Sequence, residues 1–209
     1  MLRFVIAIVL TANTALAGGH FDAAPLPALF NVVDVASDDV LNVRQQPTAK
    51  SPIISELAYD QTYVEVIEVT ENGRWGRVGT GESGMGWVYM RYMAAVPNGS
   101  FPDWPAMRCN GSEAPWMFTF EQGGEAIYRQ SYEEGMRLQA SALRKGSESF
   151  LAWGMAARGP NVTVTASIRQ LQCDSTMIDD TSGFQGVIVA AFADGTTYTH
   201  SGCCSLVAP

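Results

Sequence analysis

The sequence predicts an all-β protein: a small β-barrel followed by a second antiparallel β-barrel or sandwich that carries disulfides. Three observations lead there. Across residues 39–92, short runs of β-forming residues are divided by turn residues, and Asn72-Gly73 between two apolar runs is a hairpin signal. Across residues 161–168, Val162, Val164, Ala166 and Ile168 alternate with Thr163, Thr165 and Ser167, the period of a half-buried strand. All four cysteines lie in the second half of the chain.

Taken in order, residues 1–17 read as an export signal. Arg3 supplies the positive start, residues 4–10 the apolar stretch, and Ala15-Leu16-Ala17 the small-x-small cleavage pattern. That stretch is too short to span a bilayer, and no later one is long enough. The mature protein is expected in the periplasm. Residues 18–30, with Pro25 and Pro27, read as an extended lead-in to a first module at 31–96.

Within that module, Leu41 and Val43 are expected on one face of a strand and Asn42 and Arg44 on the other, with Pro47 forcing a turn. Trp75 and Trp87 bring large apolar area to a unit near the lower size limit for independent folding. The order Leu41-Asn42-Val43-Arg44-x-x-Pro47, Leu57, a Val-rich strand, Trp75 with Val78, and Gly86-Trp87-Val88 resembles a bacterial SH3-like domain. Asp60 stands where that family usually has Gly, and the 79–86 loop is longer than usual. The resemblance implies a non-catalytic module of the kind that binds cell-wall peptides or glycans.

A second run of turn formers, residues 97–105, reads as a linker to a domain at 106–209. There, residues 116–120 and 126–129 are strand candidates around Gly123-Gly124. The apolar run 187–192 leads through Asp194-Gly195 into Thr196-Thr197-Tyr198-Thr199, a hairpin with a primed-turn signature. Residues 136–143 fit a short helix or a strand. Four cysteines in an exported chain predict two disulfides. On a strand, Cys203 and Cys204 face opposite ways, so Cys173 is expected to join one of them and Cys109 the other. The string 109–116, with Cys109, Gly111, Glu113 and Trp116, resembles the start of an uncharacterised family of bacterial envelope domains. So do Cys173-x-x-x-Met177-x-Asp179 and the Gly195 to Cys204 motif, with Thr176 and Ile178 as departures. That resemblance implies a periplasmic β domain and lends no activity.

The formal net charge is −8, with only two lysines, Lys50 and Lys145, and no basic run. This excludes nucleic acid and anionic membrane surfaces as expected partners. Residues 79–84 match a dinucleotide fingerprint as a string, but a strand rather than a helix follows, so a hairpin loop is the reading. A zinc site from His200 and the cysteines would need free thiolates, and a Cys–His hydrolase would need a free Cys beside one of two histidines, His20 or His200. Asp38-Asp39, Glu133-Glu134 and Asp179-Asp180 read as solvated surface, and Glu113 as a turn residue beside Trp116. No catalytic residue, metal or cofactor is expected. The aromatic residues of the first module, Tyr59, Tyr63, Trp75, Trp87, Tyr89 and Tyr92, are its ligand candidates, of which Tyr89, Tyr92, Trp75 and Tyr63 rank first and Trp87 reads as structural. Arg44 joins them, either holding a ligand carboxylate or bracing its loop through Asp38 or Asp39. The expected function is an exported binding or adaptor protein whose SH3-like module contacts peptidoglycan or an envelope protein. The alternative is a periplasmic inhibitor of a lysozyme-like hydrolase acting through the C-terminal domain, since acidic surfaces attract basic enzymes.

Overall fold

In the computed structural model, which describes residues 25–81, 84–112, 115–147, 152–175 and 180–209, the regular structure among the described residues is all strand apart from one 3-10 turn. The expected export signal, His20, Glu113 and Asp179 lie outside the described residues.

The first module contains β1 (Ala28–Val32), β2 (Val40–Arg44), β3 (Ile53–Ala58), β4 (Val64–Val66), β5 (Glu68–Val69), β6 (Trp75–Gly79), β7 (Met85–Tyr89), a 3-10 turn (Met90–Tyr92) and β8 (Met93–Ser100). They form two sheets, in the orders β4-β1-β8 and β3-β2-β7-β6-β5. Alternation decides what lies between them. Leu41 and Val43 of β2 point inward, as do Val78 and Val88, and they meet Phe30, Val66, Met90 and Met93. Trp75 and Trp87 share strands with Gly76 and Gly86, and it is the glycines that face the core. A Cβ on Gly76 would overlap the Met90 sulfur, and one on Gly86 would overlap Val43. The two tryptophans are therefore on the outer face and only half-buried, not the heart of the core. The Asn72-Gly73 hairpin forms, with Gly73 at φ +66° and the Asn72 carboxamide accepting the Arg74 N–H at 3.0 Å.

The second module contains β9 (Ala106–Gly111), β10 (Trp116–Glu121), β11 (Glu125–Gln130), β12 (Met136–Ala140), β13 (Arg144–Lys145), β14 (Ala152–Arg158), β15 (Val162–Arg169), β16 (Cys173–Ser175), β17 (Asp180–Ser182), β18 (Phe184–Phe192) and β19 (Thr197–Leu206). Eight of these close into an antiparallel barrel in the order β12-β11-β10-β9-β19-β18-β15-β14, completed by Gln139 and Ala140 of β12 pairing with Arg158 and Ala157 of β14. Closure removes the open edges of the sheet. Phe118, Phe120, Tyr128, Val164, Ile168, Phe184 and Ile188 fill the interior. Val162, Val164, Ala166 and Ile168 point inward, as their alternation predicts. Of the 136–143 segment, Met136–Ala140 is strand β12, with Leu138 and Ala140 buried at period two, and residues 141–143 leave it.

Both predicted disulfides form. Cys204 faces into the barrel and joins Cys109 on the neighbouring strand, both fully buried, with Cα atoms 4.0 Å apart. Cys203 faces outward and joins Cys173, tying the β16–β17 hairpin to the barrel wall. The Asp194-Gly195 hairpin differs in its turn. Gly195 N–H donates to the Phe192 carbonyl, and Gly195 alone takes positive φ, +90°, so the loop is a turn followed by a left-handed glycine rather than a two-residue primed turn.

Strand β1 begins inside the segment read as a lead-in, and β8 runs into the segment read as a linker. Ala28, Phe30 and Val32 face the first core, whereas Leu29 faces the barrel-side core. Phe101 packs on Phe184 at 5.0 Å, and the Trp104 indole N–H donates to the Val207 carbonyl at 2.7 Å. Turn formers bend this segment without loosening it, because its two aromatic side chains are buried. Further ties are the Leu206 N–H to Glu65 Oε1 at 2.8 Å, the Gln170 amide to the Leu26 carbonyl at 2.8 Å, and Pro27 seated where a side chain on Gly183 would be.

Candidate functional site: an aromatic groove on the first module

Because Gly76 and Val88 point inward, their neighbours Trp75 and Tyr89 point outward, and register places them directly opposite each other across β6 and β7. Their rings lie 5.4 Å apart and tilted by 52°. Tyr89 in turn meets Tyr92 of the 3-10 turn edge-on at 6.2 Å. The Arg91 guanidinium lies 5.8 Å from the Tyr92 ring, a cation–π distance that holds that ring in place. These three aromatics form one wall of a groove of about 850 Å³. The other side is supplied by β2 itself, with Asn42 and Arg44, and by the chain leading into it, with Asp34 and Asp39.

The groove is charge-balanced. Arg44 and Arg74 line it together with Asp34 and Asp39. Arg44 donates to the Ser51 carbonyl at 2.7 Å, and the Ser51 hydroxyl accepts the Gln46 N–H at 2.9 Å. Arg44 thus braces the loop around Pro47 as expected, but through Ser51 and not through Asp38 or Asp39. Asp39 instead caps its own strand by accepting the Val40 N–H at 2.8 Å.

Of the five first-ranked residues, Trp75, Tyr89, Tyr92 and Arg44 meet in this groove. Tyr63 does not. It takes a left-handed backbone, φ +57°, and its ring packs on Trp104 at 5.5 Å at the junction with the barrel. Trp87 lies on the outer face of β7, in register between Arg44 and Arg77. Tyr59 is exposed beyond the end of β3. Arg74 and Asp34 were not singled out from the sequence. Arg74 had a signal, since it sits in the Asn72-Gly73 turn directly before Trp75; Asp34 had none, because its place at the rim depends on a left-handed turn after β1.

The other expected groupings resolve differently. All four cysteines are oxidised, so none is available as a nucleophile or a thiolate ligand beside His200. His200 instead shares a 2.7 Å hydrogen bond with the Tyr128 hydroxyl and stacks on Trp116 at 5.0 Å and 18°. Burial holds the His200 imidazole below its ordinary pKa. Burial first, then the charges of Tyr198 and Glu133, push the Tyr128 phenol up to about 12. The 79–84 string bridges β6 and β7 as a hairpin loop, with the Thr80 N–H donating to the Gly84 carbonyl at 3.1 Å, while Glu82 and Ser83 lie outside the described residues. Asp38, Asp39, Glu133 and Glu134 are exposed.

Comparison with known families agrees with the first module. The bacterial SH3 domain model matches residues 39–94, about a quarter of the chain. The match stops short of the barrel, so the likeness of that module to an envelope family gains no support from it. No curated protein and no solved structure matches the chain.

Proposed function

We propose that this is an exported, non-catalytic binding protein whose SH3-like module holds a peptide segment of the cell wall, or of an envelope protein, in the Trp75–Tyr89–Tyr92 groove. The observation that carries this reading is the convergence of three ring faces and both signs of charge on one open groove. Ring faces pack peptide segments at small entropy cost, and Arg74 with Asp34 and Asp39 suits a ligand that carries both ammonium and carboxylate groups. The match to a bacterial SH3 domain and the two disulfides support an extracytoplasmic binding role.

The test is sedimentation of the full mature chain with purified sacculi at moderate salt. Binding through the groove predicts that Tyr89→Ala and Tyr92→Ala each lower the pelleted fraction several-fold, by about 1–2 kcal/mol of lost ring contact, with unchanged circular dichroism. Equal pelleting of parent and both variants would overturn the assignment of the groove. A complete absence of pelleting would remove the cell wall as the ligand.

A further inference from the structure

The outer wall of the barrel carries a second depression, of about 810 Å³, beneath the tethered β16–β17 hairpin. Its floor is the outward face of three paired strands. Arg108 of β9 lies opposite Ser205 of β19, and Cys203 lies between Asn110 of β9 and Gln185 of β18. Asp174 and Ser175 of the hairpin form a side. This depression shares Arg108 and Ser205 with a cleft of about 440 Å³ between the two modules, at whose far side stands Tyr63. The shared residues make the two hollows neighbours, a candidate channel along the outer barrel wall that reaches the first module.

The lining of the barrel-wall floor is chiefly hydroxyl and amide. Several of its groups are already ordered. The Asp174 carboxylate accepts from the Gln172 amide at 3.1 Å and from the Thr181 hydroxyl at 2.9 Å, and these bonds hold it below the usual carboxylate range. The Gln185 amide donates to the Gln172 carbonyl at 3.3 Å, and the Ser205 and Ser182 hydroxyls lie 3.1 Å apart. The floor strands sit inside the barrel sheet, so their backbone groups are engaged in ladders and cannot add a peptide strand. Arg108 faces Asp174 at the side of this depression and Glu65 in the adjoining cleft, on a chain of net charge −8, which does not suit a polyanion. What matches is a long ligand rich in hydroxyls and low in charge.

Tyr63 supplies the remaining part. A bulky residue in the left-handed region is strained, and such strain is held where the surroundings over-determine it. Here Asn31 Oδ1 accepts the Tyr63 N–H at 3.1 Å, and Trp104 supports the ring at 5.5 Å and 43°. Yet 39% of the residue stays exposed, a braced aromatic at the end of a polar channel.

We propose that this channel is a second binding site, for a linear uncharged oligosaccharide, with a sugar ring stacked on Tyr63 and hydroxyl or acetamido groups bonded by Arg108, Asn110, Asp174 and Gln185. It shares no residue with the groove at Tyr89 and stands or falls separately from it. The test is titration of the full mature chain with chitohexaose and, in parallel, maltohexaose, followed by backbone amide NMR shifts. The expected result is saturable shifts at Tyr63, Arg108, Asn110 and Gln185 with at least one of the two sugars. Arg108→Ala and Gln185→Ala, both at surface positions, are expected to weaken it by about tenfold, as loss of one or two hydrogen bonds does. Tyr63→Gly removes the ring while relieving the backbone, so it should weaken binding without lowering the melting temperature. Tyr89→Ala should leave saccharide binding unchanged. No shifts with either sugar up to about 10 mM, shifts confined to the Trp75–Tyr89–Tyr92 groove, or undiminished binding by Arg108→Ala and Tyr63→Gly would each overturn the proposal.

Discussion

His200 shows how a single residue sets a dependence on pH. Its imidazole lies between Trp116 and Tyr198, the latter nearly parallel at 6.3 Å, with the Tyr128 phenol on Nε2. Because burial lowers its folded-state pKa, the unfolded chain takes up the His200 proton first as pH falls through about 6.5. Stability contributed by the neutral ring is therefore full above that pH and is lost progressively below it. The slope of unfolding free energy between pH 7.5 and 5.5, measured in urea, is expected to flatten in His200→Phe. The carboxylates of Asp174 and Asp194, both lowered mainly by hydrogen bonds, act at more acidic pH and are untouched by that change. None of this is legible in the sequence, where His200 stands out only for its closeness to Cys203 and Cys204. Its partners Trp116 and Tyr128 lie more than seventy positions away, and only barrel closure brings them to it.

Single elements were far more legible, because a strand buried on one face writes its period into the chain. The alternation of β15 and the two faces of β2 follow from that rule, and so do the opposed directions of Cys203 and Cys204. Loop length ranks the two bridges. In the chain-entropy account, removing the 95-residue Cys109–Cys204 loop costs about 4–5 kcal/mol, and the 30-residue Cys173–Cys203 loop about 3–4. Paired Cys→Ala variants compared by denaturant unfolding should keep that order, with the buried bridge adding a packing loss. What the period hides is which inward positions must be empty. On Gly202 a Cβ would overlap the Asn110 carbonyl and press on Trp116, and backbone cannot step aside. Gly202→Ala is expected to destabilise the protein by about 1–3 kcal/mol, read from the unfolding midpoint. The same blindness hides why Trp75 and Trp87 lie on the outer face: Gly76 and Gly86 hold the inward positions and so turn Trp75 toward the groove.

At the scale of the whole molecule, the two modules share a strand and a buried segment, and cooperativity follows from that sharing. Leu29 is fully buried against the barrel-side core, while its neighbours complete the first. Leu29→Ala is expected to cost about 2–5 kcal/mol and to lower the unfolding of both modules together, in one calorimetric transition. Separate transitions, only one of them shifted, would show the modules to be independent. The run 97–105 reads as a spacer because its prolines and glycine are visible in the sequence, whereas the burial of Phe101 and Trp104 depends on Phe184 and Val207, near the other end of the chain. The same shared strand imposes an order on biosynthesis. As the chain emerges from its amino end, every residue that covers the Phe30 side of β1 has been made once Met93 has appeared. The Leu29 side waits for a barrel whose last strand, β19, must pair with β9 before the ring can close. Until residue 206 emerges, a nascent molecule with its first module in place carries an oily seam along that strand, so the interval between the two closures is when it most needs shelter from its neighbours.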